Sequence, residues 1–575
     1  MFVANSRASI YNVVLRSEGK VKVARAAVLL ALVLAGCQTA GGSRTGSAPP
    51  PKLVVAILVD GLPQSQLLKY RHHFGPGGFR RFFDDGAWFT DANYGHSTTI
   101  TAVGHGTWLT GAYPYRHGMV SNDWWDRKTK KIVYCTEDAE ARYLGEPTRE
   151  RQGTSPKNLF VTTVGDELRV ATGEKSRVFA VSLKDRGAIL PAGRMGQAYM
   201  FSPWTGRFIT SDYYRDDYPM WWVDYDLGRP QNRWFGKVWT PLLPDDAYRG
   251  TVEGQPNVVV QRGIGKKFPH KLTGGKPEPG PDYYAAMEGT PYGHEYLADF
   301  AKVLIRNEGL GRNAAGVPDL FAISFSSHDF INHVYGPESK ESLDDLVRLD
   351  RILSDFFSFL DQEVGLDRTL VSLTADHGFC YSPEYCRDVM GLDASRINPA
   401  DMLKKLNEYL GDKYGVGNYA AFWRYPTVWL DYNLIDERRL NRVEVERESA
   451  KFLSTYPGVH SVFPRSDLTE GKVPQTDLGR RVQRAWHPKV SGDLVVIQKD
   501  GWIISEGVLV TFAASHGTPW KYDTHVPLLF LGPWVKSGAY LQAAEPADIA
   551  PTLARVLSIP PPSGSEGRVL AEMLR

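Results

Sequence analysis

Lys52-Leu-Val-Val-Ala-Ile-Leu-Val-Asp-Gly61 decides how the rest of the chain is read. Leu53 to Val59 are apolar without a break and show no period-two alternation, so both faces of the segment must meet apolar neighbours. That suits a strand inside a parallel sheet with helices on both sides, not a strand whose outer face meets water. The run stops at Asp60-Gly61, which places a carboxylate at the carboxyl end of a buried strand, where open α/β sheets bind ligands. Similar runs recur at 178–182, 320–325, 370–374 and 526–531. Between them Leu346, Leu349, Leu353, Phe356 and Leu360, and likewise Tyr296, Phe300, Val303 and Leu304, repeat at three- and four-residue steps, as on a helix with one buried face. The alternation predicts an α/β fold with a parallel-rich central sheet and helices on both faces.

A chain of 575 residues has room for such a domain and for insertions. Two stretches break the alternation and are expected to form a lid or cap at the active face. The first, 123–291, is rich in aromatics, Pro and Gly (Trp124-Trp125, Trp204, Trp221-Trp222, Trp234, Trp239), and only Val178 to Gly187 looks like core within it. The second, 379–507, has helix and strand patterns of its own. The catalytic domain is read as 52–575 with these two insertions. Lys+Arg 67 and Asp+Glu 65 nearly cancel, and no basic stripe stands out, so nothing points to nucleic acid as a specific partner.

Lys20, Lys22 and Arg25 precede the apolar run Ala26 to Ala35, which is short for a bilayer span and suits the core of a secretory signal. Leu34-Ala-Gly-Cys37 resembles a bacterial lipobox, so residues 1–36 are expected to be a lipoprotein signal peptide and Cys37 the lipidated new N-terminus. The Gly/Ser/Pro-rich stretch up to Pro51 reads as a tether. The expected location is the periplasm or cell envelope, with the membrane met only through the lipid on Cys37 at the outer membrane. A monomer is expected. Cys135, Cys380 and Cys386 remain, of which Cys380 and Cys386 are spaced for a local disulfide, although spacing alone leaves the pairing open.

Candidate metal ligands collect at the strand ends. Asp60 follows the first run; Asp329 follows Phe325, with His333 four residues on and thus on the same face of a helical turn. Asp376-His377 follows the run at 370–374, and His525 comes just before the last run. Singly, an aspartate after a strand is a helix cap and Asp-His-Gly a turn. Together they suit zinc, and so many oxygen donors suit two divalent ions. The Thr-rich segment Gly95-His-Ser-Thr-Thr-Ile-Thr-Ala-Val-Gly-His105 offers Thr101 as a metal-activated nucleophile.

Seven motifs carry a family resemblance: Val59-Asp-Gly61, Thr101-Ala-Val-Gly-His105, Ser121-Asn-Asp-Trp124, Ser182-Leu-Lys-Asp-Arg-Gly187, Ser327-His-Asp-Phe-Ile-Asn-His333, Thr374-Ala-Asp-His-Gly378 and Tyr522-Asp-Thr-His-Val-Pro527. Over residues 52–560 the chain resembles the alkaline phosphatase superfamily, in its periplasmic phosphate-irrepressible type with a threonine nucleophile. The resemblance implies two Zn2+ ions, one held by Asp329, His333 and His525, the other by Asp60, Asp376, His377 and the Thr101 hydroxyl. It implies a phospho-threonine on Thr101, with Asn122, Lys184 and Arg186 gripping the phosphoryl oxygens. The implied activity is an alkaline phosphatase releasing inorganic phosphate from small-molecule phosphate monoesters outside the cytoplasm. His105 and His516 are left outside the metal shell, His516 because the Thr-His-Val-Pro context favours His525. The alternative is a phosphodiesterase or nucleotide pyrophosphatase of the same superfamily, which shares nucleophile and ligands. The Lys184 and Arg186 charges favour the monoester, which brings two negative charges where a diester brings one. The cysteine or serine motif a sulfatase needs is absent at Thr101.

Overall fold

A computed structural model describes residues 49–254, 263–505 and 512–575. The expected signal peptide, Cys37 and nearly all of the tether lie outside the described residues. Nine strands form the main sheet: β1 (Leu53–Val59), β2 (Ala87–Phe89), β3 (Val178–Ser182), β4 (Gln197–Phe201), β5 (Phe208–Ile209), β6 (Asp319–Phe325), β7 (Thr369–Thr374), β8 (Leu528–Leu531) and β9 (Gly538–Tyr540). Their order is β9-β2-β8-β7-β1-β6-β3-β4-β5. β1 is central, parallel to β6 on one side and to β7 on the other, with Val59 opposite Phe325 and Leu58 opposite Thr374. β3 and β4 continue the parallel set, whereas β8 runs antiparallel to β7.

The absence of alternation in β1 has a direct cause. Leu53, Val55, Ile57 and Val59 enter one apolar cluster, shared with helices α4 (Pro291–Glu308) and α6 (Lys340–Glu363). Val54, Ala56 and Leu58 enter another, shared with α2 (Val164–Ala171), α3 (Asp185–Ala192) and α7 (Ile549–Leu557). Successive side chains point to opposite faces, and both faces are covered. Each fully buried Val, Leu or Ile contributes roughly 1.5–3 kcal/mol, so this strand anchors both layers.

The two stretches read as insertions differ. Residues 123–291 are largely part of the main domain, since they supply β3, β4, β5, α2 and α3. Trp222, Trp234, Trp239, Tyr248 and Tyr283 are buried in the cluster that holds α4 and α6. Their polar tips are satisfied there, as in Trp239 Nε1 donating to Asp344 Oδ2 at 2.6 Å and Trp222 Nε1 to the Phe208 carbonyl at 2.8 Å. The lid reading of this stretch is therefore corrected: most of its aromatics pack the core, while Trp124 and Trp125 meet Trp429 and Phe422 of the second stretch and Trp204 is exposed. Residues 379–505 do form a unit with its own core. Four antiparallel strands, Ala420–Arg424, Thr427–Leu430, Leu494–Gln498 and Val459–Pro464, are backed by helices Pro399–Tyr414 and Arg442–Leu453. Ile100 and Val103 belong to the same apolar cluster, so this cap sits on the segment that carries Thr101.

Cys135, Cys380 and Cys386 are buried free thiols, so the local disulfide that their spacing allows is not formed. Among the described residues no helix is long and apolar enough to cross a membrane.

Candidate active site

Thr101 is the first residue of α1 (Thr101–Trp108) and is buried. The helix lies tightly against the end of β7: a Cβ on Gly104 would stand 2.2 Å from the Asp376 carbonyl oxygen, so only glycine permits the approach. Asn122 accepts a hydrogen bond from the Ala102 N–H at 3.0 Å, which places its amide at the N-terminal end of this helix. His105 points down from the same turn, with Nδ1 2.8 Å from the Thr101 carbonyl and 3.2 Å from Asp376 Oδ2, and Nε2 2.8 Å from Ser324 Oγ.

Two groups of ligand-type side chains meet in front of Thr101. Asp60, Asp376 and His377 form a fully buried group; Asp329, His333 and His516 form a second, partly open one. In the first, His377 Nε2 lies 3.5 Å from both Asp60 Oδ1 and Asp376 Oδ2. In the second, Asp329 Oδ1 lies 3.4 Å from His333 Nε2 and 3.5 Å from His516 Nε2. The imidazoles of His377 and His516 stack with centroids 3.4 Å apart, which makes the two groups contiguous. The topology explains the convergence. Asp60 ends β1, Asp376 and His377 follow its neighbour β7, and Asp329 and His333 lie on α5 (Ser327–Tyr335), which follows its other neighbour β6.

His525 is not part of either group. Its Nε2 lies 3.0 Å from the Thr90 carbonyl and 3.1 Å from Gln64 Nε2. Because β8 is antiparallel to β7, His525 does reach the active end of the sheet, but β7 and β1 separate it from β6. Three strand spacings amount to roughly 14 Å, too far to share an ion with Asp329. His516 takes the position expected of His525. It comes from a loop that crosses the strand ends, where its Nδ1 is 2.8 Å from the Thr99 carbonyl. The same loop is tied to α5, with Ala513 N–H donating to the His333 carbonyl at 2.8 Å and His333 Nδ1 3.0 Å from the Ala514 carbonyl. His516-Gly517 repeats the His-Gly pair of His377-Gly378, but His105-Gly106 and His117-Gly118 carry the same pair outside both groups, so the sequence signal for His516 is weak. Gly517 has φ +122, and Asp376-His377 is likewise followed by a glycine whose Cβ would meet the Tyr522 carbonyl at 2.0 Å.

Lys184, at the end of β3, reaches into the cluster. Its Nζ is 2.5 Å from Asp329 Oδ2, 2.7 Å from Asp60 Oδ2 and 3.4 Å from Thr101 Oγ1. Burial opposes its charge, yet the Asp329 and Asp60 carboxylates overcome this and hold the ammonium above its ordinary pKa. Burial, with the neighbouring Asp329 and Asp376 charges, pushes the Asp60 carboxyl well above the usual carboxylate range. Arg186, two residues on, donates to Tyr134 Oη at 3.1 Å, and Tyr134 in turn donates to Asp185. Asp123, next to Asn122, is clamped by Arg151 and by Arg424 of the cap. Tyr134 and Arg424 had no signature in the sequence, and Asp123 figured only within Ser121-Asn-Asp-Trp124, because their importance lies in contacts between distant segments.

The donors fit metal ions. Three carboxylates are buried together with one ammonium, an excess of negative charge that a folded interior relieves by binding cations or by protonating a carboxyl, as the raised Asp60 shows. Asp60 Oδ1, Asp329 Oδ1 and His377 Nε2 are buried with no hydrogen-bond partner, although polar groups in such positions are almost always satisfied. Mixed carboxylate and imidazole donors are those of zinc and similar divalent metals.

The chain is similar to known proteins at several levels. The family model for type I phosphodiesterase/nucleotide pyrophosphatase matches residues 54–519. Alkaline phosphatase PafA of Elizabethkingia meningoseptica is 33% identical over 546 residues, covering 93% of this chain and 96% of that protein. Alkaline phosphatase PhoV of Synechococcus elongatus is 33% identical over 531 residues, covering 91% and 93%. The crystal structure of wild-type PafA superposes with a TM-score of 0.82 at 33% identity, covering 92% of this chain and all of that one.

Proposed function

The chain belongs to the type I phosphodiesterase/nucleotide pyrophosphatase family, and from that premise we propose that it is an alkaline phosphatase acting on small-molecule phosphate monoesters. The supporting observation is Lys184, a buried ammonium within 3.4 Å of the Thr101 hydroxyl. A cation at the attacking atom suits a dianionic phosphoryl group better than a monoanionic diester. The alkaline phosphatases PafA and PhoV, similar over nearly the whole chain, point the same way.

Asp60, Asp376 and His377, with the Thr101 hydroxyl, would hold one zinc ion; Asp329, His333 and His516 would hold the other. Bound there, the ions would make the Thr101 alkoxide and a hydroxide accessible near neutral pH and offset charge on the departing oxygen. Thr101 Oγ attacks phosphorus; its O–P bond forms as the ester O–P bond breaks and the alcohol departs. Water then attacks the phospho-threonine, its O–P bond forms as the Thr101 O–P bond breaks, and inorganic phosphate is released. The Ala102, Val103 and Gly104 amides are bonded to Asn122 Oδ1 and the Ile100 carbonyl, so α1 would favour the phosphoryl group through the positive end of its dipole. Asn122 and Lys184 add side-chain donors from two sides. Tyr134 and Asp185 hold Arg186, which supplies a fixed guanidinium to the same group. The leader ending in Leu34-Ala-Gly-Cys37 supports action in the periplasm, from an outer-membrane lipid anchor.

The reading is tested by comparing hydrolysis of p-nitrophenyl phosphate and bis-p-nitrophenyl phosphate, with and without chelator. The monoester is expected to react faster by orders of magnitude, and chelation to stop it until zinc is restored. A faster diester reaction would overturn the monoesterase assignment in favour of a phosphodiesterase. Activity insensitive to chelation would overturn the metal assignment.

A further inference from the structure

A small, partly open apolar pocket of about 50 Å³ lies beside His333. Its walls are Ile264, Ala285, Phe330, Val334 and Phe512, with Tyr335 at one edge. The polar groups at its rim are already engaged, His333 Nδ1 with the Ala514 carbonyl at 3.0 Å and Tyr335 Oη donating to the Gly265 carbonyl at 3.0 Å. The surface offered to a ligand is carbon. We propose that this pocket is the leaving-group subsite, and that it selects phosphate monoesters whose alcohol carries an aryl or bulky alkyl group. The inference deepens the monoesterase reading and rests on it.

Three observations carry it. The first is direction. Thr101 stands on the helix that packs against Asp376, and an in-line displacement expels the alcohol on the side opposite the attacking hydroxyl. In the proposed two-ion arrangement that is the side of Asp329, His333 and His516, and His333 is the residue shared by that group and the pocket. The second is Phe330, which follows Asp329 on α5. Its ring lies 5.0 Å from Lys184 Nζ and also lines the pocket, so one ring separates the phosphoryl-binding cation from the apolar space. The third is Phe512, a large aromatic left 41% exposed at the mouth, with its ring 4.7 Å from that of His333. An aryl or branched alkyl group seated between Phe330 and Phe512 would cover it and gain apolar burial on both faces. The far wall is made of small residues that leave the space open. Even at Gly289 an added Cβ would find its nearest neighbours at 3.7 and 4.0 Å.

The test uses the full-length, zinc-loaded protein and reads binding as well as turnover. Dissociation constants are measured for inorganic phosphate, methylphosphonate and benzylphosphonate, and kcat/KM for methyl and benzyl phosphate. Benzyl is expected to exceed methyl about 10-fold in both series, the effect of a modest increment of apolar burial. Ala285→Phe, which fills the pocket, and Phe512→Ala, which removes its outer wall, are each expected to bring that ratio near one while inorganic phosphate binds as before. Phe512 is on the exposed rim, so its variant keeps the test open if Ala285→Phe does not fold. Equal binding of the two phosphonates by the unaltered protein, or a benzyl preference that survives both substitutions, would overturn the proposal. Failure of the monoesterase reading would show differently, as phosphate esters left intact while the phosphonate ratio still reports the pocket.

Discussion

The buried group of Asp60, Asp376 and His377 and the open group of Asp329, His333 and His516 use the same donors but are built differently. The buried group hangs directly from the ends of two adjacent strands, and both strands are locked on either face by the main core. The open group needs a helix and a crossing loop to meet, and its two histidines keep some solvent contact. Under the proposed mechanism, rigidity would suit the side that sets the nucleophile, and access the side from which alcohol would leave and water enter.

Thr101→Ala gives the largest expected effect and tests the buried side. Turnover of p-nitrophenyl phosphate should fall by about 10⁴-fold or more, as for other lost nucleophiles. Metal content, read by elemental analysis, should remain close to two zinc per chain, because the carboxylates and imidazoles persist. Loss of both metals with the hydroxyl would break the distinction between nucleophile and binding group.

The open side is tested by His516→Ala beside His525→Ala. The first should lose about one zinc per chain and more activity than the roughly 100-fold typical of removing a residue behind a metal ligand. The second removes contacts to Thr90 and Gln64 only and should change turnover by no more than about 10-fold with metal content intact. The reverse pattern would restore His525 to the site.

A stability experiment probes the support beneath the buried side. His96, behind α1, is fully buried, and burial lowers its pKa from 6.5 to about 3. The unfolded chain therefore takes up a proton that the folded one refuses as pH falls below 6.5, so stability present above that pH is lost toward pH 3. The loss is expected to be on the order of 4–5 kcal/mol, and His96→Gln should flatten the unfolding free energy against pH over this window. An unchanged slope would show that His96 does not carry it.

The smallest effect is expected from Arg424→Ala. It removes one arm of the clamp on Asp123, beside Asn122, while Arg151 keeps the other. Losing about 1 kcal/mol of positioning would lower kcat/KM about 5-fold. Thermal stability should change little, and Arg424→Lys should recover only part of the activity because lysine cannot make the paired contact.

Much of this was legible in the sequence because it is local. An unbroken apolar run such as Leu53 to Val59 can only be a strand covered on both faces, and an aspartate after it must stand at the carboxyl edge of the sheet. Asp329 and His333 share a face through the four-residue step alone. The aromatic stretch from 123 to 291 misled because its Trp and Tyr residues are spaced irregularly. Their burial comes from packing onto α4 and α6, far along the chain, and leaves no period to read.

Local patterns in the chain were enough for the α/β architecture, the strand-end carboxylates, and Thr101 as a hydroxyl at a helix start. Which histidine completes the open group depends on how distant segments pack. His516 and His525 both lie near the last strand in sequence and both have inviting neighbours. The choice depends on strand order, which places β7 and β1 between His525 and Asp329, and on a loop whose path across the sheet is fixed by hydrogen bonds to α5 and to Thr99. Those are relations between segments well over a hundred residues apart, and no local pattern encodes them.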